Sequence, residues 1–135
     1  MYNPRFPHRL RVWRNRMDDF GLPVTDENGD PERFIVMLHK VQMMDGRPVT
    51  AMDGAYETEE VEWIEFGYRK SSKSTRDTVD VQVSDFMISL PLFITYLTPG
   101  DILEIEDYDR RYEGQVLKKQ SFNLGSNIWF NEVKN

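Results

Sequence analysis

A chain of 135 residues with 39% hydrophobic and 30% charged side chains has the length and composition of one soluble globular domain around a single core. It contains no cysteine, which excludes disulfides, thiol chemistry and cysteine-ligated zinc. A formal net charge of −6 argues against a general nucleic-acid binder, because phosphate binding needs a dominant positive surface.

The first strand signal is "HRLRVWR", which alternates through Leu10 and Val12. It lies in a basic opening segment: residues 1–17 hold five arginines and no acid, a charge of +5 that leaves −11 for the remainder. That opening has charge but no apolar stretch to follow it, so no secretory signal is expected. The acidic turn "DENGDP" then leads into "RFIVMLHKVQMM", a long β-branched and Met-rich run. Asp45-Gly46 and Asp53-Gly54 mark further turns. The acidic "ETEEVEWIE" continues into "EVEWIEFGYRK", with Val61 and Trp63 on one side and Ile64, Phe66 and Tyr68 on the other.

A Ser-rich basic stretch follows, "RKSSKSTR", without apolar anchors, and residues 70–76 are expected to be mobile in the isolated protein. "TVDVQVSD" alternates at Val79, Val81 and Val83. The longest apolar-rich run, "FMISLPLFITYL", is too short to cross a bilayer and is broken by Pro91. Within it, "LPLFITYLT" reads either as a helical turn or two or as extended chain. "GDILEIED", "EGQVLKKQSF" and the terminal "SNIWFNE" complete seven strand candidates. The spacing predicts an all-β protein: one small antiparallel β-barrel domain over residues 1–135, with long loops and at most one short helix near residues 91–98. No internal repeat, linker or second domain is evident.

Several strands are apolar on both faces: Trp63 opposes Ile64 and Phe66, Met37 opposes Val36 and Leu38, and Trp129 opposes Ile128 and Phe130. A small barrel has one interior, so the outer apolar residues are expected to meet another subunit. In the final strand, Ile128 and Phe130 are assigned to the core, with Trp129, Asn131 and Val133 on the contact face. Arg9, Arg11 and Trp13 form a second candidate partner surface. Arg69, Lys70, Lys73 and Arg76 form a third.

No motif carries chemistry. "DENGDPERFIVM" mimics a calcium loop but has Pro31 at its sixth position and Met37 at its twelfth, where glycine and glutamate are required. His8 and His39 are too few and too far apart for a metal spacing or a triad. Glu104 and Glu106 share a strand face, which the alternation of "ILEIED" places in water. There is no phosphate-binding glycine pattern. No catalytic, cofactor or metal residue is assigned, and neither an enzyme nor a small-molecule binder is expected.

The order of features, "VQVSDFMISLP", "LTPGDILEIED" and "YEGQVLKKQSFNLGSNIWFNEVKN", resembles the head–tail joining proteins of tailed bacteriophages and prophages, also called head closure, neck or connector proteins. The likeness rests on the S-L-P…P-G-D-x-L-x-I…G-x-V progression and the asparagine-rich closing strand. It implies a structural β-barrel that forms an oligomeric ring in the virion neck, made in the cytoplasm without membrane contact. Its implied partners are other copies of itself, a portal or adaptor protein and a tail-completion protein, with transient passage of DNA. The alternative reading is a nucleic-acid-binding barrel of the oligonucleotide-binding or SH3-like kind, for which the arginine-rich N-terminus speaks.

Overall fold

The computed structural model describes residues 5–69, 86–122 and 124–133. Every regular element among them is a strand. The first six are β1 (His8–Asn15), β2 (Arg33–Val36), β3 (Leu38–Val41), β4 (Met43–Met44), β5 (Arg47–Pro48) and β6 (Thr58–Val61). The others are β7 (Ile64–Arg69), β8 (Phe86–Pro91), β9 (Phe93–Ile94), β10 (Ile102–Asp107), β11 (Arg110–Ser121) and β12 (Gly125–Glu132). The run around Pro91 is extended, because β8 continues through it and Leu92 accepts a main-chain bond from Val41. The anticipated strand at Val79–Val83 and the basic loop 70–76 lie outside the described residues.

Two antiparallel groups, β1-β7-β8 and β10-β11-β12, join edge to edge through β8–β12 and β10–β1, closing a six-stranded barrel. Closure leaves the wall no free edge. Alternation fills the interior: Leu10, Val12, Ile64, Phe66, Ile88, Leu90, Leu103, Ile105, Ile128 and Phe130 are wholly buried. Gly114 is required by this packing, since a Cβ there would lie 2.3 Å from the Phe130 ring. Phe130 in turn stacks on Phe86 at 5.2 Å. A bulge between Val116 and Lys118 re-aims β11 opposite Phe130 and Trp129.

β2 pairs with the second half of β1, beyond the reach of β7. The long run "RFIVMLHKVQMM" is thus broken at Met37: β3 leaves the barrel and pairs with β6 and β9 in a separate three-stranded sheet. Leu38 and Phe93 from that sheet join the same apolar cluster.

The structure corrects the reading that the chain has no internal repeat. Between β1 and β2, and again between β3 and β6, the chain makes an arm with a three-way hydrogen-bond junction. In the first arm, Arg16 N bonds Glu32 O, Glu32 N bonds Val24 O and Val24 N bonds Arg16 O. In the second, Gln42, Glu57 and Val49 make the same cycle. Met17 faces Pro23 as Met43 faces Pro48, and Thr25 faces Pro31 as Thr50 faces Tyr56. Sequence follows structure: "MDDFGLPVTDENGDPE" (17–32) and "MMDGRPVTAMDGAYE" (43–57) share Met, Asp, Gly, Pro-Val-Thr, Gly and Glu in order. Gly29 and Gly54 occupy equivalent turns with φ of +82° and +85°, where a side chain would be strained. The first arm is longer by one residue, in the turn that carries Phe20.

Candidate functional site

The outer face of β1 is a ladder of paired charges. The β1–β10 register sets Arg9 opposite Glu106 and Arg11 opposite Glu104. Arg9 Nε donates to Glu106 at 3.0 Å, and Arg11 Nε donates to Glu104 at 2.9 Å. Arg11 also reaches Glu62 at 2.8 Å. The Trp13 indole N–H donates to Glu104 at 2.8 Å, and Arg111 joins Glu106 from β11. Both Arg9 and Arg11 lie over the Trp63 ring, 4.5 and 4.6 Å from its centroid. The outer apolar residue Trp63 is therefore covered by arginines of its own chain. Burial would raise the Glu104 carboxyl, but the hydrogen bonds from Arg11 and Trp13 outweigh it and hold it below its ordinary value. The same bond from the other side raises Arg11 against the effect of burial.

This arrangement changes how two expectations read. Arg9, Arg11 and Trp13 do come together, yet as an internally neutralised patch rather than a free basic strip. Glu104 and Glu106 share the outer face as anticipated, but Arg11 and Arg9 grip them and both side chains are less than one-fifth exposed. A further pair lies at the end of β1, where Arg14 forks onto Asp101 through two bonds of 2.9 Å. Asp101 is buried and also accepts from Thr98 N and Oγ1. The P-G-D turn is thereby fastened to the barrel.

On β12, Ile128 and Phe130 face the core, and Trp129 faces outward, half-buried, with the Lys118 amine 5.0 Å from its ring. Asn131 and Val133 are half-buried, and Val133 N bonds Glu113 O. Trp129 therefore stands on a different strand from the β1 ladder. Arg69 ends β7 and reaches Asn127 Oδ1 at 3.5 Å. Lys70, Lys73 and Arg76 lie outside the described residues.

His8 packs among the rings of Phe66, Tyr68 and Tyr108, with centroids 4.8–5.4 Å away. His39 sits on the separate small sheet. Among the described residues no group of three metal-ligating side chains converges. Tyr68 shares its hydroxyl with Asp107 and Tyr112. Burial first, and then the bond to Asp107, push its ionisation far above the ordinary range for a phenol.

Two surfaces escape sequence reasoning. The first is the arm tips, where Phe20 is 88% exposed and Met44 and Met52 are also in solvent. These tips are ordered by design of the chain: Asp18 Oδ1 accepts from Phe20 N and Leu22 N, and Asp53 Oδ1 accepts from Ala55 N. The second is a groove of about 460 Å³ between the second arm and the segment after β9, lined by Tyr56, Ile94, Tyr96, Lys119 and Phe122. An aromatic residue between an acid and a turn glycine, as in "DDFGL", is the signal that marks the first surface. The groove is assembled from residues up to 74 positions apart (Pro48 to Phe122), and no local signal announces it.

Among the described residues the chain is a closed β-barrel with a charge-paired ladder on one outer face and arm tips exposed to solvent. Compared with protein-family models, curated proteins and solved structures, the chain matches none.

Proposed function

We propose that the chain is a structural connector of a tailed bacteriophage or prophage, a subunit of a ring that joins the portal to the tail and lets DNA pass. The observation that carries the reading is the pairing of a rigid closed barrel with two hydrogen-bonded arms that hold Phe20, Met44 and Met52 in solvent. Exposed apolar side chains on ordered turns cost solubility unless a partner covers them. A ring subunit must meet neighbours on several sides without refolding, which suits fixed arms on a barrel.

The charge pattern favours this over the nucleic-acid-binding barrel. Such a module tracks the phosphate backbone with a run of free cations. Here Arg9 and Arg11 are matched by Glu106, Glu104 and Glu62, so the β1 face has little to offer a phosphate backbone. A wall along which DNA slides should not grip it. The partners are other copies of the chain, a portal or adaptor protein and a tail-completion protein.

Deletion of the gene from its phage or inducible prophage tests the reading. The expected outcome in negative-stain electron microscopy is DNA-filled heads and finished tails that remain separate, with joining restored in trans. Joined, infectious particles from the deletion strain would overturn it.

A further inference from the structure

Two of the surfaces that the described residues leave uncovered complement each other in apolar character and in charge. The first arm, residues 17–32, holds six acids and no base, which equals the net charge of −6 for the whole chain. Everything outside that arm therefore sums to neutral. At its tip, Phe20 stands between Asp19 and Gly21, and the turn is fixed by the Asp18 carboxylate and by Gly21 at φ +79°. Phe20 is presented, not tucked away.

The groove offers the reverse. Its walls are Tyr56, Ile94, Tyr96 and Phe122, all exposed in the single chain, and Tyr96 is 84% exposed. The Lys119 amine enters from β11, 5.1 Å from the Phe93 centroid and 5.9 Å from that of Tyr96. Its bond is to a neutral acceptor, Thr95 O, at 3.3 Å. Partial burial lowers the pKa of this amine, so an arriving carboxylate would relieve a desolvated cation. Among the described residues neither Asp19 nor Lys119 has an ion-pair partner. The groove thus fits an aromatic ring preceded by a carboxylate.

We infer that the tip of the first arm docks into the Lys119 groove of a second copy of this chain, with Phe20 among Tyr56, Ile94, Tyr96 and Phe122 and Asp19 beside Lys119. The inference rests on the ring-subunit reading and gives it a contact. Tip and groove are different surfaces, so the contact is head-to-tail, and repetition closes a ring when the rotation between copies allows it. Both the apolar anchor and the flanking charge sit where binding energy concentrates, in a pocket that water leaves on docking.

The absence of cysteine makes the test direct. Phe20→Cys and Phe122→Cys are prepared as separate proteins, mixed and oxidised. A disulfide heterodimer is expected from the mixture, and none from Phe20→Cys mixed with Tyr108→Cys, whose residue is exposed elsewhere. In sedimentation experiments, Asp19→Lys should weaken self-association at least about tenfold, and adding Lys119→Glu to the same chain should restore it. Self-association that survives Asp19→Lys without a 20–122 cross-link overturns this contact while leaving the connector reading intact. A chain that is monomeric at every concentration overturns it too. Failure of the connector reading shows instead as joined particles from the deletion strain, whatever the cross-link does.

Discussion

In the barrel every strand turns one face inward, and rings such as Phe66 and Phe130 lose all contact with solvent. In the arms, none of residues 16–32 or 42–57 is buried. Their shape comes from main-chain cycles and from aspartate side chains that cap their own turns. The difference separates two tasks. Apolar burial, worth roughly 25 cal/mol per Å², fixes the barrel, and side chains there cannot be changed freely. Hydrogen-bonded turns fix the arms, so the side chains at their tips can change without loss of the fold. Substitutions should divide the molecule along this line.

The largest effect is expected inside. Phe130→Ala removes a ring that fills the interior and stacks on Phe86, and should cost about 3–5 kcal/mol in chemical denaturation. A loss below about 1 kcal/mol would mean that the wall can collapse onto the cavity, contrary to a tightly packed core. Gly114→Ala attacks the same ring from the opposite strand. With its Cβ placed 2.3 Å from Phe130, it should cost about 1–3 kcal/mol. Because the two sites touch, their effects should be non-additive: once Phe130 is alanine, Gly114→Ala should cost little.

How far the sequence discloses this division depends on the distance between partners. β1, β10 and β12 are readable because strict alternation needs only neighbours, and the split between Phe130 inside and Trp129 outside follows from it. The run from Arg33 to Met44 is not readable as three strands, since its apolar content is continuous and the chain leaves the barrel at Met37. The arm repeat is present in the sequence as Pro-Val-Thr framed by glycines, but Phe20 offsets the two copies by one residue. The β1 ladder is illegible for another reason. Arg11 and Glu104 stand 93 positions apart, and only barrel closure makes them neighbours.

That ladder belongs to the wall's outer face, and its effect on stability should be intermediate. Glu104→Gln keeps the shape but removes the charge that Arg11 and Trp13 address, and should cost about 1–2 kcal/mol near neutral pH. The sign of the pH dependence follows from the depressed carboxyl. Its stabilisation is complete above the unfolded-state value and is lost as pH falls through the lower folded-state value. Acid titration of wild type and Glu104→Gln should therefore converge at low pH. A constant difference down the acid limb would show that the pair contributes through packing alone.

Trp129 lies at the boundary of the two regimes. It shares the strand of Phe130 but shows its ring to Lys118 and solvent. Trp129→Ala should cost about 0.5–1 kcal/mol, mainly the cation–π contact, while leaving the isolated barrel folded. Unfolding by this substitution, with Phe130→Ala tolerated, would reverse the assignment of the two faces.

The smallest effect on stability is expected at a ring that stands almost wholly in solvent. Phe20 has lost almost no solvent contact, and the turn that carries it is held by Asp18 and Gly21, not by the ring. Phe20→Ser should therefore leave the unfolding midpoint within about 0.5 kcal/mol of wild type. Asp18→Ala is the contrasting change, because it removes the acceptor for two main-chain N–H groups at the same tip. Amide exchange at residues 20–22 should quicken in Asp18→Ala and stay unchanged in Phe20→Ser. If Phe20→Ser loosened the turn as much as Asp18→Ala, the ring would be holding the arm together, and the arm would be a small core of its own. If only Asp18→Ala does so, hydrogen bonding by the main chain and the Asp18 carboxylate maintains the tip, and the aromatic side chain there has no structural task within the single chain.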